Sequence, residues 1–304
     1  MTIEDWLKLA REKIDALDAE LILLFGLRKV LPAGVDRSYI FAHPEMEIPR
    51  GDWKKMDKMV VRRAEGEPLA YILGHKEFYG REFGVDSEVL IPRPETESLV
   101  DLTLEVIGGS KSDVPGKGLS DGGLGESGLK WAAGWQILEI GAGSGCIATT
   151  LSLEMVERGI SGAVTATDVS EVALCRAREN AAHLGVVVRF LRSDLLSEVP
   201  RVEEYDVLVA NLPYVDRGWE WLNFSGLDFE PELALYAEEK GLGLYRRLFE
   251  ELKGRVKWAV LEADPCQHEE LVVIAEENGY ELDKIEGFGV RFRKMPADLM
   301  NRQA

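Results

Sequence analysis

The sequence predicts an α/β protein: a doubly wound, Rossmann-like sheet domain preceded by a small all-helical domain. Three observations predict it. Residues 1–68 carry apolar side chains at helical spacing. From Gln136 onward, short apolar runs alternate with amphipathic stretches, the pattern of buried parallel strands and the helices that cover them. After the first of those runs comes Gly141-Ala142-Gly143-Ser144-Gly145, a glycine-rich turn at the end of the sheet where α/β folds bind ligands.

The 304 residues suit about two domains. In the first, Trp6, Leu7, Leu9, Ala10, Ile14, Leu17, Leu21, Leu24 and Phe25 recur with charges between them, so each helix has one buried face. Pro32 and Gly34, then Pro44 and Pro49, interrupt the pattern, and 52–65 predicts a further helix. The reading is a helical bundle over 1–68. Over 69–91 aromatic and β-branched residues (Tyr71, Ile72, Phe78, Tyr79, Phe83, Val85) are broken by Gly74, Gly80 and Gly84, which predicts a hairpin connector. The main domain is assigned to 92–304. It opens on an amphipathic helix ending near Ile107, followed by a Gly/Ser-rich stretch, 108–130, that predicts a flexible surface insertion. Strands are expected at 136–140, 163–168, 187–192, 207–210 and 257–262. A helix over 170–184 has Ser170 as N-cap and Gly185 as stop. Residues 280–285 and 290–293 predict a closing hairpin around Gly287 and Gly289.

Composition narrows the function. A net charge of −18 speaks against a protein that grips phosphates, so nucleic acid is an unlikely partner by this reading and a protein or small molecule is favoured. No run approaches the roughly 18 apolar residues of a membrane span, and the acid-bearing N-terminus is unlike a secretory signal. Cys146, Cys175 and Cys266 lie far apart, and His43, His75, His183 and His268 have no ligand spacing. No metal is expected, and the compartment is read as reducing and cytoplasmic.

The glycine turn counts against a nicotinamide dehydrogenase, the least favoured of the readings. A dinucleotide fingerprint would place its third glycine at 146, which is Cys146. Glu139 precedes the turn, and Asp168 ends the next strand 23 residues beyond Gly145. A carboxylate there can accept both hydroxyls of a ribose, or can cap the helix that Ser170 begins. Asp194 and Leu195 end the third strand. The fourth runs into Asn211-Leu212-Pro213-Tyr214 on the ligand side of the sheet.

These motifs carry a resemblance. The G-x-G-x-G spacing behind Glu139 resembles motif I of class I S-adenosylmethionine methyltransferases. The resemblance implies that fold, S-adenosylmethionine as donor and S-adenosylhomocysteine as product. It implies cofactor contacts from Glu139, Gly141, Ala142, Gly143, Ser144, Gly145, Asp168 and Asn211, with Asp194 toward the adenine amino group and Leu195 against the ring. The tetrad Asn211-Leu212-Pro213-Tyr214 resembles the N-P-P-Y motif of methyltransferases that act on planar nitrogens. A carboxamide nitrogen is a poor nucleophile with two N–H donors to satisfy. The Asn211 side-chain oxygen can accept one and the Leu212 carbonyl the other, while Pro213 stiffens the loop and Tyr214 offers a flat face. The form N-L-P-Y also occurs in ribosomal RNA adenine dimethyltransferases, so the tetrad leaves a glutamine amide and an adenine amine both open.

A longer match separates them. Glu67-Pro68-Leu69-Ala70-Tyr71-Ile72-Leu73-Gly74, Glu77-Phe78-Tyr79-Gly80 and Leu90-Ile91-Pro92-Arg93-Pro94-Glu95-Thr96-Glu97 resemble the HemK/PrmC family of release-factor glutamine methyltransferases. So do Phe229-Glu230-Pro231 with Ala234-Leu235, and Glu262 with Gln267. The resemblance covers about 66–107 and 136–295. It implies methylation of the glutamine in the Gly-Gly-Gln loop of class I peptide chain release factors, with the bundle recognising the partner. Leu212 departs from the family's proline, and Asp264-Pro265-Cys266 replaces a glycine-containing turn. Two other readings stand beside it. One is an enzyme on a nucleic acid amine, with Trp219 or Trp221 stacking a base. The other is a cofactor-binding scaffold inactive through Leu212. Arg93 and Glu95 are expected either to order the connector over the cofactor or to form a surface ion pair.

Overall fold

The computed structural model describes residues 1–32, 34–109, 134–200, 202–219 and 226–296. Most of the Gly/Ser-rich insertion and Trp221 therefore lie outside the described residues. The chain divides into two compact units, Met1–His75 with Asn223–Phe229, and Lys76–Leu222 with Glu230–Ala304.

The first unit is helical: α1 (Ile3–Arg11), α2 (Ala16–Leu27), α3 (Arg37–Ala42), α4 (Arg50–Ala64) and α5 (Leu69–Leu73). Thr2 and Asp5 form a reciprocal capping box on α1, and Asp15 and Asp36 cap the next two helices. The apolar stripes meet in one core that includes Ile3, Trp6, Ile22, Leu23, Leu27 and Met56. Glu20 is buried in this unit and is held by Arg11 at 2.8 Å and by Arg37, as a buried carboxylate must be. The stretch over 69–73, read from sequence as the start of a hairpin, is a helical turn. Pro68 stands at its N-cap and Gly74 in a left-handed C-cap, the flanking pair that favours a helix over a strand.

The hairpin follows as β1 (His75–Phe78) and β2 (Arg81–Gly84), and α6 (Glu97–Ile107) comes next. The sheet strands and their helices are β3 (Trp135–Ile140), α7 (Cys146–Glu157), β4 (Gly162–Asp168), α8 (Glu171–His183), β5 (Arg189–Arg192) and β6 (Val207–Ala210). After them come α9 (Glu232–Leu235), α10 (Gly243–Leu252), β7 (Trp258–Glu262), α11 (His268–Glu277), β8 (Tyr280–Glu286) and β9 (Gly289–Lys294). The strand order is β5-β4-β3-β6-β7-β9-β8, parallel through β7, with β9 antiparallel to it.

Alternate residues of each central strand serve opposite faces. Ile137, Val207, Val209 and Val260 join the core with α6 and α7. Leu138, Ile140, Leu208, Ala210 and Leu261 join the core with α10 and α11. The chain winds outward from β3 to β5, then returns to β6 on the other side of β3. That reversal opens a crevice at the carboxyl ends of β3 and β6.

Candidate active site

Strand register brings the two sequence motifs together. Ile140 pairs with Ala210, so Gly141 and Asn211 leave the sheet side by side. The approach is close: a Cβ on Gly141 would lie 3.4 Å from the Leu212 side chain and 3.5 Å from the Asn211 carbonyl. Between and above them is a cavity of about 480 Å³, within the range of small-molecule sites. Of the residues singled out from sequence, Glu139, Gly141, Ala142, Gly143, Ser144, Asp168, Asp194, Leu195, Asn211, Leu212 and Pro213 line it. Gly145 and Tyr214 do not line it.

Gly145 serves packing. It has φ +77° at the N-cap of α7, and a Cβ there would fall 2.8 Å from that of Ala177 on α8. Asp168 organises the loop. Its Oδ2 accepts the Gly143 N–H at 2.9 Å and its Oδ1 the Ser170 N–H at 2.8 Å. The cap of α8 is Ser170, whose hydroxyl accepts the Ala173 N–H at 3.2 Å; Asp168 holds the turn before it and keeps acceptor positions free, since a carboxylate has about four. Burial pushes its pKa up, and the N–H groups of Gly143, Ser170 and Val169 pull it back. Glu139 is fully buried, and its Oε2 takes the Ala148 N–H of α7 at 3.0 Å, tying β3 to the first turn of that helix. Burial holds its pKa well above the usual carboxylate range. The neighbouring Cys146 thiol is pushed up to about 12, first by burial and then by Glu139, which leaves it unreactive.

Leu195 takes φ +48°, and the Ser193 hydroxyl donates to its carbonyl at 2.8 Å. Asp194 is more than half exposed and pairs with Arg247 of α10 at 3.1 Å.

The tetrad is braced from behind. Asn211 Nδ2 donates to the Thr96 hydroxyl at 3.0 Å. The Tyr214 phenol donates to Glu262 Oε1 at 3.0 Å. Glu262 is 1% exposed at the end of β7. Burial raises its pKa, while Thr96, Tyr214 and Asn211 lie near enough to pull it back toward the anion. Its Oε2 has no hydrogen-bond partner of good geometry. Tyr245 donates to the Glu262 carbonyl, with the Leu212 carbonyl also near its hydroxyl at 3.4 Å. Gln267 Nε2 donates to the carbonyls of Tyr214 and Lys240, each at 2.8 Å. Gly241 is obligatory beside them, since at φ +88° a Cβ would meet the Tyr214 carbonyl at 1.9 Å. The Leu212 side chain is buried in the core under the sheet.

Comparison with known proteins adds the decisive observation. A family model described as the PrmC N-terminal domain matches residues 3–74, and a methyltransferase domain model matches residues 137–223. A release factor glutamine methyltransferase of Koribacter versatilis is 37% identical over 258 residues, which is 82% of this chain and 81% of that protein. The chain belongs to the release factor glutamine methyltransferase family. The family member of Neisseria gonorrhoeae is 34% identical over 249 residues (82% and 78% of the two chains). That of Nitratidesulfovibrio vulgaris is 34% identical over 251 residues (79% and 74%). These relatives are named for a glutamine, not for the adenine amine that the tetrad alone left open.

The family-like segment Ile91-Pro92-Arg93-Pro94 acquires a physical reason. Arg93 does not pair with Glu95. It pairs with Glu230, which is 6% exposed and also accepts the Ile91 N–H at 3.1 Å. A buried carboxylate attracts the guanidinium more strongly than an exposed neighbour does. Pro92, Arg93, Pro231 and Ala234 all line the cavity, so the pair joins two of its walls. Thr96, Glu230, Tyr245 and Arg247 were not assigned roles from sequence. Thr96 and Glu230 fall within the family-like segments, and nothing local marks them out. Tyr245 and Arg247 read as ordinary helix positions.

Proposed function

We propose that this protein transfers a methyl group from S-adenosylmethionine to the side-chain amide nitrogen of the glutamine in the Gly-Gly-Gln loop of class I release factors. The observation that carries this is the juxtaposition of Asn211 and Leu212 with the glycine loop in one cavity.

The residues present fit the cofactor. Gly141 and Gly143 leave backbone where side chains would fill the cradle, and the cavity has the volume of a nucleoside-sized ligand. Asp168 is the residue for the ribose hydroxyls, and Asp194 and Leu195 are those for the adenine. Glu139 supports the loop by anchoring α7, which is its contribution to cofactor binding. S-adenosylmethionine, when bound, supplies an electrophilic methyl group on sulfur.

The chain's own work is to orient a weak nucleophile. Asn211 Oδ1 accepts one N–H of the substrate amide and the Leu212 carbonyl accepts the other, which aims the nitrogen and accommodates the charge that develops on it. Leucine serves here because only its carbonyl is used, while its side chain packs into the core. Pro213 fixes the loop. Tyr214, turned onto Glu262, offers its ring at the edge of the site and not as a cavity wall. No general base is required before transfer, because the proton leaves afterwards. The helical unit recognises the release factor, and the acidic chain disfavours nucleic acid as substrate.

The test is transfer from labelled S-adenosylmethionine to a purified class I release factor, beside its Gln→Ala variant and a ribosomal RNA control. Label on the wild-type factor alone supports the reading. Label on RNA alone overturns it.

A further inference from the structure

Thr96 closes a 3-10 turn, Pro94–Thr96, that runs directly into α6, and its own backbone is helical, so its hydroxyl is not engaged in capping. Its hydroxyl instead receives Asn211 Nδ2, in a residue only 2% exposed. With the nitrogen held there, the planar amide carries Oδ1 on the opposite side. No hydrogen bond to Oδ1 is found among the described residues.

A hydroxyl can donate or accept, so Thr96 alone would hold either orientation of the amide. Glu262 breaks the tie. An ionised carboxylate only accepts, and Thr96 and Asn211 both lie where their donors favour its anion. Tyr214 occupies Oε1, and Oε2 keeps acceptor capacity in reserve. No hydrogen bond of good geometry reaches Oε2, yet an amide held against Thr96 beside this carboxylate meets an acceptor with Nδ2 on that side, whereas the flipped amide would set Oδ1 against another oxygen. We propose that Thr96 and Glu262 are positioning residues that lock the Asn211 amide with Oδ1 turned to the substrate nitrogen. This rests on the reading of Asn211 as the acceptor of a substrate N–H. It also gives a physical reason for a threonine in the segment before α6: it spans from β6 to β7 across the back of the tetrad.

The experiment compares Thr96→Val, Thr96→Ser and Glu262→Gln with the wild type, each first checked for S-adenosylhomocysteine affinity and Tm. One readout is hydrogen exchange of the Asn211 side-chain amide by NMR, assigned by its loss in Asn211→Ala. Exchange should be slow in wild type and Thr96→Ser, and roughly fivefold faster or more in Thr96→Val. The other is single-turnover methyl transfer. Thr96→Val should lose about 10²-fold in rate with cofactor affinity unchanged, while Thr96→Ser stays within about threefold. Glu262→Gln should fall between them, because a glutamine can face Thr96 with either end. Three outcomes overturn the inference: Thr96→Val at wild-type rate and exchange, Thr96→Ser as damaged as Thr96→Val, or cofactor affinity lost along with rate. The exchange measurement needs no substrate. A release factor that takes no label would sink the proposed reaction and still leave the lock supported or refuted.

Discussion

Asn211 does more than any other side chain in the proposed reaction, and replacing it should show so. Asn211→Ala is expected to lower kcat about 10²–10³-fold, the range for removing one donor or acceptor at a reacting centre, with S-adenosylhomocysteine affinity changed far less. Steady-state kinetics beside calorimetric binding would check this. Glu262 gives the rate a pH dependence. Burial raises its pKa, and Glu95, Tyr214 and Tyr245 face the same group. The lock needs the anion, so activity should be full above that raised pKa and lost as pH falls through it, at a pH above the ordinary carboxylate range. Glu262→Gln should remove this acid limb from the kcat profile. Glu139 has the same direction of shift with a consequence for stability. A carboxyl whose folded pKa is raised contributes its full stability below the ordinary carboxylate range and loses it as pH rises through the raised value. Glu139→Gln keeps an acceptor for the Ala148 N–H. It should therefore melt higher than wild type near pH 8, with the difference shrinking toward about pH 5, as thermal scans across pH would show. Of these residues, Asn211, Asp168 and Glu139 were legible in the sequence because they end strands beside marked loops. Thr96 and Tyr245 were not, because their partners lie far along the chain and only folding brings them together.

At the scale of elements, β3, α7 and α8 pack closely where Gly145 meets Ala177. Gly145→Ala places a methyl against Ala177 at a positive φ. It should cost about 1–3 kcal/mol in stability, the range for a strained backbone site, and should weaken cofactor binding in step, which denaturation and calorimetry would separate. Periodicity found the strands and their order of appearance, and it found Ser170 and Gly185 at the two ends of α8. It misread 69–73, where a short apolar run fits strand and helix equally and the flanking Pro68 and Gly74 were the better signal. The partner of Arg93 was equally out of reach. Glu95 is two residues away and Glu230 is 137 away, yet burial of Glu230 decides the pair.

For the whole molecule, the two units have separate cores. S-adenosylhomocysteine should accordingly slow amide exchange in the 141–148 loop and around 193–196, and leave α1 to α4 unchanged. Protection spread evenly over both units would count against a cofactor site confined to the sheet unit. Among the described residues no helix is long and apolar enough to cross a membrane. What the sequence by itself determined is whatever depends on neighbours along the chain: the helical first unit, the alternating strands, the glycine turn, the tetrad and the family. What only the tertiary structure decided is how these meet. The pairing of Ile140 with Ala210 sets the glycine turn beside Asn211. Glu262 holds Tyr214, and Thr96 holds Asn211, behind the site. Local pattern reports which face of an element is buried, but hydrogen bonds between distant polar groups are fixed only once the strands are in register and water has been excluded from around them.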